Sequence, residues 1–288
     1  MRRLALSVLL TLLACDGAPP TKVTKAEPAA KPTVATPSAA PQVDPADAEP
    51  APEQTCPAAD SVRVDLETED GVALIADHYS AGKVGARGVV LLHMIPPHHT
   101  LDNFPREFID PLVAAGFDVI NVNRRGAPGS GGEAEDAYKG AKGKLDALAG
   151  VEFLLRSPCR VNPEAIAIVG ASNGTTSMVD YAVHAHASQD PAAPAPAALV
   201  FLSGGGYTEA QNPLSKHLDA LQDMPAFFAY PRKEAEWNER IATLAKDRGL
   251  DAWSFHVYEP GGHGTKLFDT DPALIPALVA WLDQRVPR

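Results

Sequence analysis

The sequence predicts an α/β domain: a mostly parallel central sheet with helices on both faces, begun by an antiparallel hairpin. Three observations carry this. The runs at residues 88–93, 117–122, 165–169, 198–202 and 225–230 are almost wholly apolar, as strands covered on both faces are. Stretches with apolar residues at helical spacing lie between them. Two earlier runs, 61–67 and 72–79, alternate apolar and polar around a turn at 68–71, the pattern of a hairpin with one face covered. A hairpin followed by alternating strand and helix implies a mostly parallel sheet wrapped on both faces.

The first 56 residues stand apart. Two arginines precede an apolar run, residues 4–14, that ends at Cys15. The run is too short to span a bilayer as a permanent helix. With Leu12, Leu13 and Ala14 before the cysteine, it resembles a bacterial lipoprotein signal. That resemblance implies removal of residues 1–14, acylation of Cys15 and a membrane-anchored chain in the cell envelope, on the periplasmic or surface side. An ordinary cleaved signal with an incidental cysteine is the alternative. Residues 15–56 are mainly Ala, Pro, Thr, Lys and Glu. Such a stretch buries too little surface to offset its ordering entropy and reads as an extended, disordered tether. Residues 57–288 suit one domain.

Within that domain, residues 103–115 place Phe104, Phe108 and Leu112 four apart, a helix in which Pro111 predicts a kink or restart. Residues 144–156 and 175–187 read as the helices flanking the 165–169 strand. Further helices are expected at 213–222, 234–248 and 272–286, with a strand at 252–258. Cys56 and Cys159 form an even pair in a chain read as leaving the reducing cytosol, which predicts a disulfide; two unpaired thiols are the alternative.

Charge and motifs narrow the function. Thirty-six acidic residues against 25 basic give a net charge of -11, and no basic patch stands out, which argues against nucleic acid as a partner. No GxGxxG, P-loop or metal-ligand spacing occurs, so neither a cofactor nor a metal is implied. His98 and His99 read as exposed or substrate-contacting rather than metal-binding, and His184 and His186 as solvated. Arg124 and Arg125 read as bracing their loop, with contact to a substrate anion as the alternative.

The 165–169 run leads into Gly170, Ala171, Ser172, Asn173 and Gly174, a G-x-S-x-G pattern between a strand and a helix. In that setting it reads as a nucleophile elbow: serine on a strained turn, glycines where side chains would collide, and a helix N-terminus favouring negative charge beside the serine. In a parallel sheet, catalytic groups sit on loops at the carboxyl ends of strands. Other candidates on such loops are His93 and Met94, Glu234, and His263, giving the chain order Ser, acid, His.

These residues carry a resemblance. Over residues 61–286 the chain resembles the α/β-hydrolase superfamily, most of all its compact esterase branch with dienelactone-hydrolase-type proteins. Residues 87–93 match the family's strand before the oxyanion loop. Residues 115–126, with Gly129 and Ser130, match its next strand and Arg-Gly loop. Residues 162–174 match the elbow, and Gly262 to Thr265 the histidine loop.

The resemblance implies Ser172 as nucleophile and His263 as base, with Glu234 as the acid that orients the histidine, where Glu236 is the fallback. The chemistry needs these types: serine requires a base in contact, histidine titrates near working pH, and a carboxylate fixes its tautomer. The family usually has Gly-x-x-Asp at the acid; here Pro231 and Glu234 replace the glycine and aspartate. The resemblance also implies an oxyanion hole built from the Asn173 N–H and one from the loop after His93. The family usually has His-Gly there. This chain has His93-Met94-Ile95-Pro96-Pro97, in which Met94 or Ile95 can donate and the prolines cannot. The stretch at 203–224, where many relatives insert a lid, is short, so no large cap is expected.

The reading is a serine hydrolase acting on small-molecule carboxylic esters through an acyl-enzyme on Ser172. The alternatives are a peptidase or acyltransferase of the same fold, or a non-catalytic envelope binding lipoprotein.

Overall fold

The computed structural model describes residues 56–139 and 141–288. The leader, Cys15 and the tether through residue 55 lie outside the described residues. Among the described residues, no helix is long and apolar enough to cross a membrane.

Eight strands form one sheet. They are β1 (Ala59–Glu67), β2 (Ala73–Ser80), β3 (Arg87–Leu92), β4 (Phe117–Asn123), β5 (Ile166–Ala171), β6 (Ala198–Leu202), β7 (Ala226–Pro231) and β8 (Trp253–Tyr258). Their order is β1-β2-β4-β3-β5-β6-β7-β8. The first two pairings, β1 with β2 and β2 with β4, are antiparallel; the other pairings are parallel. Every residue of β3 to β7 is buried, whereas β2 largely alternates. This is why the interior strands read as continuous apolar runs and the hairpin as an alternating one.

Alternate side chains feed two cores. On one face Val90, Leu92, Ile166 and Ile168 pack with α2 (Gly143–Arg156), α3 (Gly174–Ser188) and α6 (Ala235–Asp247). On the other, Val89, Leu91, Ala167 and Val169 pack with α1 (Arg106–Ala114) and α8 (Leu274–Arg285). Both layers are needed because a sheet apolar on both faces must be covered on both.

Three elements depart from the sequence expectation. α1 runs through Pro111 without restarting. The carbonyl that Pro111 leaves unpaired belongs to exposed Glu107, where water can serve it. The helix expected at 213–222 is a 3-10 turn (Leu214–Lys216) and a one-turn helix, α5 (Leu218–Leu221), separated by His217 at φ -118°, ψ 10°. Leu214, Leu218 and Leu221 are buried as the helical spacing requires, but two short turns satisfy that spacing as well as one helix. The third departure is α4 (Gly205–Gln211), in a stretch whose glycines disfavour a helix. The short α7 (Leu267–Thr270) follows the histidine loop. Among the described residues no large cap covers the carboxyl ends of the strands; the 203–224 stretch contains α4, the 3-10 turn and α5.

Cys56 and Cys159 are joined, with S–S 1.95 Å and a sequence separation of 103. The bond ties the start of the described chain to the segment entering β5, and the Ser80 hydroxyl lies 3.5 Å and 3.2 Å from the two sulfurs. Closing a loop of this length restricts the unfolded chain by about 4–5 kcal/mol in the chain-entropy model. Cys159→Ser is therefore expected to lower the urea midpoint by an amount equivalent to about 4 kcal/mol. An unchanged midpoint, or two titratable thiols in the native wild-type protein, would contradict the bond.

Candidate active site

The site lies where β3, β5, β7 and β8 end. Ser172 follows β5 with φ 50°, a left-handed conformation costly for any residue but glycine. Two close approaches impose it. A Cβ on Gly170 would sit 2.7 Å from the Thr175 backbone, and one on Gly174 would sit 2.2 Å from the Leu92 carbonyl oxygen. Glycine at both positions lets α3 start directly over the end of β5 and against the end of β3. The Ser172 N–H is held by Leu202 O (2.7 Å), and its carbonyl accepts from Thr175 Oγ1 (2.6 Å). The serine is 1% exposed.

His263 Nε2 lies 2.6 Å from Ser172 Oγ, and His263 Nδ1 lies 2.7 Å from Glu234 Oε1. A carboxylate only accepts, so Nδ1 carries the proton and Nε2 presents a lone pair to the serine hydroxyl. Glu234 ends the 3-10 turn Arg232–Glu234 after β7 and precedes α6. Its side chain makes no cap bond to that helix and goes to the histidine instead. Glu236, the fallback acid, is exposed one position into α6. The turn is steadied by Asn238, whose Nδ2 donates to Glu234 O (3.0 Å).

The two expected oxyanion donors are both at the site. Met94 is buried over Gly264, where a Cβ would come 2.5 Å from the methionine sulfur and 3.6 Å from Ser172 Cβ. Neither the Asn173 nor the Met94 N–H is committed to a turn, cap or loop hydrogen bond among the described residues. Ile95 is half-buried.

Arg124 holds this arrangement. It is completely buried and, among the described residues, has only neutral hydrogen-bond partners. Nη1 donates to His93 O (3.0 Å), Met94 O (3.4 Å) and Asn173 Oδ1 (3.0 Å); Nη2 donates to Ala137 O (2.6 Å) and Ser177 Oγ (2.7 Å). Burial pushes its pKa down to about 10, so it remains a cation at neutral pH. Arg125 is also fully buried and binds Asp146 (Nε–Oδ1 2.7 Å) and Asp70 (2.9 and 3.1 Å). Both guanidiniums are buried and bonded to protein acceptors, which favours the bracing role over contact with a substrate anion. The sequence reading placed Arg124 in a bracing role but carried no sign that it grips both the His93–Met94 loop and Asn173.

His93 completes the brace. Its Nε2 accepts from the Arg124 N–H (2.9 Å), so Nδ1 carries the proton and donates to Met94 O (2.7 Å). His98 is exposed and His99 half-buried. Burial, with Lys266 and His98 nearby, holds the His99 pKa below its ordinary value. Among the described residues, the one cluster with metal-ligand geometry is Cys56, Asp118 and Cys159, whose sulfurs are bonded to each other.

Beside the triad is a cavity of about 370 Å³, lined by His263, Glu234, Ser203, Tyr207, Gln211 and Trp237 among others. The sequence reading missed its walls, because α4, which supplies several of them, was not visible as a helix.

No family model and no curated protein matches the chain. Solved structures do. The chain superposes on the Pyrococcus furiosus esterase Pf2001 with a TM-score of 0.61 at 17% identity, over 79% of this chain and 91% of that one. EstE1, a thermophilic carboxylesterase from a metagenomic library, gives 0.60 at 14%, over 81% and 91%. A Mycobacterium tuberculosis puromycin-hydrolyzing peptidase gives 0.61 at 17%, over 78% of this chain and 39% of that larger one.

Burial, and the adjacent Arg124 cation, hold the His93 pKa down to about 3 from the ordinary 6.5. Below pH 6.5 the unfolded chain takes up a proton there that the folded chain refuses. His93 therefore contributes stability above about pH 6.5 and loses it as pH falls towards 3. Between pH 6.5 and 4.5 the unfolding free energy of His93→Gln, which keeps a donor and an acceptor but cannot charge, is expected to fall less steeply than wild type, by up to about 1.4 kcal/mol per pH unit. Parallel pH profiles would contradict this. At these identities the superpositions establish one thing: this chain has the α/β-hydrolase fold, with a mostly parallel sheet, an antiparallel start and helices on both faces.

Proposed function

We propose that the protein is a serine hydrolase that cleaves carboxylic esters through an acyl-enzyme on Ser172. The observation that carries the reading is the unbroken chain of contacts from Ser172 Oγ through His263 to Glu234, at 2.6 and 2.7 Å. His263 takes the serine proton as Oγ attacks the ester carbonyl, and Glu234 stabilises the imidazolium that forms. The Asn173 and Met94 N–H groups receive the developing oxyanion. His263 then returns its proton to the departing alcohol, and water repeats the sequence to release the acid. Esters are favoured over peptides by the neighbours: Pf2001 and EstE1 are described as esterases, although a peptidase shares the fold.

Ser172→Ala and His263→Ala are each expected to lower kcat/KM on short p-nitrophenyl esters by roughly a thousandfold or more. Glu234→Gln, which leaves the histidine without a charged partner, is expected to act mainly on kcat. Wild-type turnover no greater than that of the variants would contradict the assignment.

We also propose that Cys15 is acylated and anchors the enzyme in a bacterial envelope membrane, on its periplasmic or surface side. The support is the short apolar run ending at that cysteine and the Ala/Pro-rich tether behind it. In cells fed labelled palmitate, the wild-type chain is expected to incorporate label and fractionate with membranes, and Cys15→Ser to do neither. Equal incorporation by both would contradict the anchor.

A further inference from the structure

The cavity beside the triad borders on a relay of side-chain amides whose polarity is fixed from inside the protein. Arg124 is completely buried, and its Nη1 donates to Asn173 Oδ1 at 3.0 Å. A guanidinium only donates, so the Asn173 amide must turn its oxygen to Arg124 and its Nδ2 the other way. Nδ2 faces Gln211 at 3.3 Å. It donates there, so Gln211 turns its Oε1 to Asn173. The free end of the Gln211 amide is therefore Nε2, a donor, and it has no partner among the described residues. Turning over either amide would set one donor against another, at a cost.

Gln211 can offer that donor to a ligand. It is exposed, whereas Asn173 is completely buried. It ends α4 one helical turn after Tyr207, on the same face, and both line the cavity. The Tyr207 ring centre is 6.1 Å from that of His263. Side chains hold α4 at both ends. Thr208 Oγ1 donates to Gly204 O and Gly205 O (3.0 and 2.9 Å), and Asn212, the next residue after Gln211, donates to Asp180 of α3. The Trp237 indole, another wall, is held as well: a Cβ on Gly206 would come 3.2 Å from it, and the Arg240 guanidinium lies 4.6 Å from its centre. Tyr207 and Trp237 thus give the cavity flat sides. Glu234 brings a carboxylate to its lining, in a chain whose net charge is -11, and both disfavour an anion there. The group that fits is a neutral hydrogen-bond acceptor carried on a flat, largely apolar body.

We propose that Gln211 is a specificity residue: its Nε2 donates to a neutral carbonyl oxygen on the part of the substrate that fills this cavity, a flat group such as an acylated aromatic ring. That the ligand is an ester rests on the hydrolase reading above; recognition of a neutral acceptor by Gln211 does not. The recognition is the same whether the cavity takes the acyl or the alcohol part of the ester.

The test uses two pairs of esters in which a methylene of the same shape replaces a ketone oxygen. Methyl 4-acetylphenylacetate is paired with methyl 4-isopropenylphenylacetate, and 4-acetylbenzyl acetate with 4-isopropenylbenzyl acetate. The first pair carries the acceptor on the acyl part, the second on the alcohol part. Gln211→Glu, assayed at about pH 8 where a carboxylate is ionised, still accepts from Asn173 Nδ2 but has no proton to donate. Gln211→Met lacks both functions. In at least one pair the ratio of kcat/KM values, ketone over alkene, is expected to fall about fivefold or more from wild type to each variant, the loss of one ordinary hydrogen bond. Comparing ratios between proteins cancels the intrinsic reactivities of the esters. A side chain that merely supports the fold would slow both members of a pair alike and leave the ratio unchanged. Unchanged ratios in both pairs overturn the proposal. So does a fall in one variant alone, which assigns the effect to the lost link with Asn173 or to the added charge. Titration of Ser172→Ala and of Ser172→Ala/Gln211→Glu with the same four esters reads recognition without turnover. If wild type turns over none of the four, the titration decides: Gln211 keeps its role if a ketone ester binds about fivefold more tightly than its alkene partner in a Gln211-dependent way, and loses it otherwise. No turnover of p-nitrophenyl esters either would fail the hydrolase reading alone.

Discussion

The site depends on one close approach, between the first turn of α3 and the end of β3. Gly174 lies so near the Leu92 carbonyl that no side chain fits between them. This contact, with that of Gly170 on Thr175, forces the chain to reverse within a few residues after β5 and drives Ser172 into a left-handed backbone. The strain is on the order of 1–2 kcal/mol for a residue with a Cβ. In return, Ser172 Oγ meets His263, and the serine is followed at once by Asn173, whose N–H is uncommitted among the described residues at the start of a 15-residue helix. Removing either glycine would move the serine, the helix and the β3 loop together.

The second element is a buried cation that, among the described residues, bonds no carboxylate. Arg125 takes Asp146 and Asp70, and Arg124 is left with three carbonyls, an amide oxygen and a hydroxyl. Desolvating a charge in this way is costly unless its hydrogen-bonding capacity is used. Here five acceptors take up the two terminal nitrogens, while Nε has no partner among the described residues; four of the five belong to the segments that carry Met94 and Asn173, and Ala137 O is the fifth. The guanidinium thus ties the loop that carries Met94 to the segment that carries Asn173. The loop that continues through Pro96 and Pro97 holds its shape because Arg124 and His93 grip the Met94 carbonyl from two sides.

The parts of this organisation legible in the sequence are those with a period or a fixed spacing. Fully buried strands gave unbroken apolar runs, the half-covered hairpin alternated, and G-x-S-x-G between a strand and a helix singled out Ser172. Glu234 and His263 were reached through their places after β7 and β8, and the structure brings both to Ser172. What was illegible depends on three-dimensional packing. The helical spacing of Leu214, Leu218 and Leu221 was read as one helix, although a break at His217 buries the same side chains. No helix was expected over α4, where Gly205 and Gly206 leave room for Asn238 and Trp237. With α4 unseen, the cavity was unseen too. The grip of Arg124 gave no sequence signal, because its five acceptors are scattered from His93 to Ser177.

The most direct test of the account is whether Ser172 is an activated nucleophile. Treatment of the folded protein with a fluorophosphonate, followed by peptide mass spectrometry, reads this without any choice of substrate. The account predicts one stoichiometric adduct, on Ser172, formed far more slowly in His263→Ala. Absence of an adduct on folded wild-type protein, or an adduct on Ser172 formed at the same rate without the histidine, would contradict it.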